Sequence, residues 1–161
     1  MITIELKDWC RKLIECGDFS EKHSDEVSQK RIERYWELID MVDGSEGQEV
    51  FNAILSSIQD EGMTEAYEST YNALWKFPPM KFAEYFIEAL PTFLDRNPEE
   101  AGRFLLGLIG WAVDEYLPHF NDKLATIPVD AQSKIMEFVK REENGGWFDS
   151  GKGLIKPLRI A

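Results

Sequence analysis

The sequence has few cysteines and histidines, few β-branched runs and no long uninterrupted apolar segment, and each shortage removes a class of function. Cys10 and Cys16 are the only cysteines. Six residues apart in one helix candidate, they fall on different faces, so no disulfide is expected between them. Two thiols outside any framework suit a reducing compartment. The two histidines, His23 and His119, stand in or beside loop candidates without partners at metal-ligand spacing. Glu115 and His119 are four residues apart, but Pro118 lies between them and breaks the helix that would align them.

The longest apolar stretch, Phe104 to Val113, is about half of the ~20 residues that cross a bilayer. The opening Met1-Ile-Thr-Ile-Glu-Leu-Lys-Asp-Trp9 mixes charge into its apolar positions and does not read as a signal peptide. A cytoplasmic chain without a membrane anchor is therefore expected. No Gly-x-Ser-x-Gly elbow occurs. Gly146-Trp-Phe-Asp-Ser-Gly151-Lys152-Gly153 approaches a phosphate-binding loop but puts glycine where a magnesium-binding hydroxyl is needed, and Pro157 stands where the helix should follow. Acid pairs such as Glu84/Glu88 and Asp114/Glu115 fit solvated helix faces. The expectation is a protein that is not an enzyme and uses neither cofactor nor metal.

What is present is acid, aromatic residues and helical periodicity. The chain has 161 residues and a formal net charge of -12, from 30 acids against 18 bases, a field that repels phosphate backbones and attracts basic proteins. Apolar residues at 43% and charged residues at 30% are the balance of a folded protein. The length suits a single domain over 1–161, with a helical body over 1–146 and a C-terminal arm over 147–161.

About eight helices are expected, in an all-α fold of antiparallel hairpins that is HEAT/armadillo-like or an irregular bundle. The first two span about Ile4 to Cys16 and Asp25 to Val42, the second with Ile32, Tyr35, Trp36, Ile39 and Val42 on its apolar stripe. Ser45 with Gln48 forms a capping box for the third, which Gly62 stops. Thr64 caps the fourth, with Glu65 in its first turn and a Tyr67/Tyr71/Leu74 stripe. Pro79 opens the fifth, and Pro91 kinks or ends it. Asn97-Pro98-Glu99-Glu100 is the clearest helix start, leading to a central, buried sixth helix that reaches Tyr116. A short helix follows Pro118, and Asp130 caps an eighth carrying Ile135, Phe138 and Val139, which Gly145-Gly146 stops. From Trp147 the Gly-rich chain is expected as an extended arm.

Asp40, Asp43 and Glu46 cluster around one turn, and Asp60, Glu61, Glu65 and Glu68 around the next. Glu65, Glu68 and Asn72 face away from the fourth helix's apolar stripe, with Trp75 near the edge of that face. An aromatic anchor ringed by acids makes these nine residues the candidate partner-binding set.

Small size, acidity, helical hairpins, free thiols and the absence of catalytic motifs together resemble the immunity proteins of bacterial toxin systems, including those of contact-dependent growth inhibition. The resemblance spans about Asp25 to Glu143 and concerns general character. It implies binding of a cognate toxin domain, with a nuclease as the expected activity. The net charge separately predicts that this partner is basic and that neither nucleic acid nor membrane is contacted directly. The alternative is a HEAT-like interaction scaffold. No motif matches residue by residue, so no functional residue is carried over.

Overall fold

The helical periodicity is realised as eight α-helices, with no strand, among the described residues of a computed structural model: Ile2 and residues 4–19, 25–59 and 66–157. The chain divides into two compact units, 1–78 and 79–161.

Unit 1 holds α1 (Leu6–Cys16), α2 (Asp25–Ile39), α3 (Gln48–Ser57) and α4 (Glu68–Leu74). α1 packs on α2 and α3, and α4 packs on the same two helices. The core is aromatic: Trp9, Tyr35, Phe51, Tyr67 and Phe77 have no exposed surface. Each such side chain removed from water contributes about 1.5–3 kcal/mol, and their polar atoms are matched. The Trp9 indole N–H donates to the Leu38 carbonyl at 3.1 Å, and the Tyr67 hydroxyl donates to the Gly17 carbonyl at 2.7 Å. The Tyr35 hydroxyl bonds Ser57 Oγ at 2.8 Å and Thr70 Oγ1 at 2.6 Å. Cys10 and Cys16 are free thiols, as expected.

Several sequence expectations for unit 1 change. Ser45 does not cap α3, because the Asp43 carboxylate takes both its amide (2.9 Å) and its hydroxyl (2.5 Å). The helix starts at Gln48 behind an extended Gly47, with no side-chain cap. Trp36 does not belong to the buried stripe: Tyr35, Leu38, Ile39 and Val42 are buried, and Trp36, about 100° round the helix from Tyr35, is 40% exposed. Gly62 and Thr64 themselves lie outside the described residues. However, α3 already ends at Ser57 and α4 begins only at Glu68 with Tyr67 at its N-cap, so both helices are shorter than the expected stop and cap would make them.

Unit 2 is built on α5 (Pro79–Arg96), which packs against α6 (Pro98–Ile109), α7 (Leu117–Leu124) and α8 (Val129–Asn144). Pro91 sits inside α5 without ending it. A mid-helix proline costs ~3 kcal/mol, and the two residues beyond it, Phe93 and Leu94, are 2% and 7% exposed. Their burial, at about 1.5–3 kcal/mol each, offsets that cost. Asn97 caps α6 as the sequence indicates, its side chain accepting from the Glu100 amide at 3.4 Å with Pro98 in the first turn. The helix stops at Ile109, however, and 110–116 continues as turns. Gly107 and Gly110 weaken the helix there, and the Ala112 amide reaches back five residues to the Gly107 carbonyl at 3.0 Å. Trp111, expected inside, is 66% exposed.

Asp130 lies in the first turn of α8 but makes no cap hydrogen bond, while Ile135, Phe138 and Val139 are buried as expected. The stretch from Trp147 contains one 3-10 turn (Asp149–Gly151) and is fastened to its unit. Phe148 and Ile155 are buried, and Gly151 lies so close to Ile109 that a Cβ there would stand 2.5 Å from its side chain. The buried Asn121 side chain donates to the Leu154 carbonyl at 2.8 Å and accepts from the Lys156 amide at 3.1 Å, gripping the chain on both sides of Ile155.

Candidate protein-binding surface

The acids of unit 1 fall into two groups by what they already bind. On α1, Asp8 pairs with Arg11 and with Lys12 (2.8 Å), and Glu15 pairs with Arg11 at 3.1 Å. The Lys12 ammonium first, then the Arg11 guanidinium, holds the Asp8 carboxyl below its ordinary range. Asp43 and Glu46 are committed to their own turn. Glu46 accepts the amides of Asp43 and Gly44, both at 2.9 Å. Asp43 is held well below the usual carboxylate range, chiefly by the Ser45 hydroxyl and then by the Ser45 amide. This turn lies against the end of α4, where the Lys76 ammonium donates to the Val42 carbonyl at 3.1 Å.

Asp40 and Glu68 belong to the second group. Both are exposed, and among the described residues neither has a cationic partner. Asn72 is exposed on the same helix as Glu68, and Trp75 is half-buried just past its end. Asp60, Glu61 and Glu65 lie outside the described residues.

The more exposed indole is that of Trp36, with Glu33 three residues before it and Asp40 four after, hence on the same helix face. Its N–H donates to the Ala66 carbonyl at 3.2 Å, which ties the ring to the turn leading into α4 and Glu68. The buried residues of α2 are Tyr35, Leu38 and Ile39, followed by Val42 just past its end; position 36 fits the Ile32/Tyr35/Ile39 spacing, so the sequence pattern carried no signal that would have found Trp36 exposed.

Charge is divided unevenly along the chain. Residues 1–78 hold 17 acids and 8 bases, a net -9, whereas 79–161 hold 13 and 10, a net -3. From Tyr35 to Trp75 there are nine acids and no lysine, arginine or histidine.

Unit 2 has a different surface. Two adjoining open grooves of about 390 Å³ each run along α5 and share Glu84, Lys123 and Thr126. His119, in the first turn of α7, lines one of them with Asp122. Among the described residues no three His, Cys, Asp or Glu side chains converge on a possible metal position. In the Gly146–Gly153 stretch α8 precedes the loop where a strand would be needed, and the Gly153 amide already donates to the Glu143 carboxylate at 2.9 Å. That carboxylate would repel a phosphate. Among the described residues no helix is long and apolar enough to cross a membrane.

A scan against protein-family models found no match, and comparisons with curated proteins and with solved structures found none either.

Proposed function

We propose that the protein binds a basic protein domain through the acidic surface of unit 1, and that it acts in the cytoplasm as an immunity protein neutralising a cognate toxin, a nuclease being the expected class. The observation that carries this is the run from Tyr35 to Trp75, nine acids without a base, on a unit of net charge -9. A nuclease needs a basic surface to hold phosphates, and an acidic helical surface competes for the same groups. Acids already neutralised, such as Asp8 and Glu15, add little to that attraction, whereas Asp40 and Glu68 contribute their charge to the surrounding field. In this reading the chain acts by occupying the toxin and needs no cofactor.

The test is affinity capture of the tagged chain in its native host, followed by expression of whatever co-purifies in stoichiometric amount. The expected result is the C-terminal domain of a large secreted protein that kills when expressed alone and is harmless when this chain is co-expressed. Recovery of several housekeeping proteins with no toxicity would instead favour an interaction scaffold.

A further inference from the structure

We infer that the exposed face of α2 receives an arginine side chain of the partner, with the Trp36 ring as its platform and the Glu33 and Asp40 carboxylates beside it. This rests on the acidic-surface proposal above and narrows it from net charge to one chemical group. The indole N–H of Trp36 is occupied by the Ala66 carbonyl at 3.2 Å, so the ring is fixed in place and its exposed surface, in a residue 40% exposed, is carbon. Glu33 stands about one helical turn before Trp36 on α2, and Asp40, just past the helix end, stands about one turn after it, its amide bonded to the Trp36 carbonyl at 2.9 Å. The Gln29 amide bonds Glu33 at 3.0 Å, which orients that carboxylate without neutralising it. Asp40 has no cationic partner among the described residues, while Glu37 is already paired with Arg34 at 2.9 Å.

The occupant follows from what such a face penalises. A purely apolar partner would cover the ring but strip water from two carboxylates without replacing their hydrogen bonds. A lysine ammonium would answer the charge, but it is a strongly hydrated point charge that gives up water reluctantly to lie on a ring. A guanidinium satisfies both demands: it is planar and weakly hydrated, stacks on an indole, and directs a fork of N–H donors at carboxylates. The net charge of -9 on 1–78 brings such cations to this unit.

The experiment titrates decamers of arginine and of lysine, equal in charge, into the full chain at low ionic strength, with affinities read by calorimetry in every variant and the indole resonance of Trp36 followed by NMR in the unaltered chain. The arginine peptide is expected to bind about three-fold tighter or more and to shift that resonance. The preference should vanish in Trp36→Leu and survive in Trp36→Phe, which keeps a ring but loses the N–H; circular dichroism on each variant separates this from unfolding. Equal affinities for the unaltered chain, or an arginine preference that persists in Trp36→Leu, overturn the inference. If binding in those cases still weakens with salt, the acidic-surface proposal stands without it. Failure of both peptides to bind overturns both.

Discussion

Gly44 and Lys76 meet backbone to backbone: a Cβ built on Gly44 would stand 2.3 Å from the Lys76 carbonyl oxygen, and Gly44 itself has φ +91°. The turn carrying Asp43 and Glu46 can reach the end of α4 only because this position has no side chain. Gly44→Ala combines left-handed strain with a backbone clash, so a loss of about 2 kcal/mol or more is expected in denaturant unfolding. A loss under about 0.5 kcal/mol would mean that the turn can detach from α4 at little cost.

Tyr35 gives a second stability test, with a pH signature. Burial holds its phenol well above the ordinary value of 10.0, opposed by hydrogen bonds from Ser57 and Thr70. The folded chain keeps this proton where an unfolded tyrosine loses it. Its contribution is therefore complete below about pH 10 and falls as pH rises through the folded-state value. Tyr35→Phe should cost about 1–3 kcal/mol at neutral pH, because Thr70 and Ser57 lose their shared partner, and should flatten the alkaline decline in stability. Urea unfolding at neutral and alkaline pH measures both.

Asn121 fastens 154–156, and replacing it tests how much of the C-terminal stretch that grip holds. Asn121→Ala removes both hydrogen bonds and leaves the Leu154 carbonyl and the Lys156 amide without their partner. Tryptic cleavage after Lys152 should accelerate several-fold while the body of unit 2 persists; Lys156, followed by Pro157, is not a tryptic site. Unchanged cleavage would show that Ile155 and Phe148 anchor the stretch by packing alone.

Leu108→Ala probes the α6 core, where Leu108 is fully buried. A loss of about 2–5 kcal/mol is expected on chemical denaturation. A change below about 1 kcal/mol would place the core of unit 2 elsewhere.

How much was legible in the sequence depended on whether the signal was local. Asn97-Pro98 marks a helix start because cap and first turn are adjacent, and the buried Phe82, Phe86 and Leu90 follow from spacing alone. Ser45 misled because the Asp43 carboxylate accepts the Ser45 amide that a Gln48 box would use and turns the Ser45 hydroxyl towards itself. Pro91 left a kink or an end open, and the helix runs on past it because the packing beyond, through Phe93 and Leu94, is tertiary. In the candidate surface, Asp40, Glu68 and Asn72 were read as exposed and are. Trp75 and Trp36 exchanged places as the more accessible indole, since a residue beside a stripe is assigned to core or solvent by the neighbouring helix, which spacing does not reveal.

The acidic surface can be tested by charge without touching the core. Asp40 and Glu68 are exposed and lack cationic partners among the described residues, so Asp40→Lys with Glu68→Lys should change thermal stability little, within about 0.5 kcal/mol. Reversal of both converts two attractive charges into repulsive ones, and association with a basic partner should slow by about ten-fold at low salt. Since screening acts on the long-range part of the attraction, the variant's rate should also depend less steeply on salt than that of the unaltered chain. Stopped-flow association with the captured toxin domain, or with the arginine decamer, across a salt series measures both. A slowed rate with an unchanged salt slope would mean that these carboxylates act only by short-range contact and that the steering field arises from other acids.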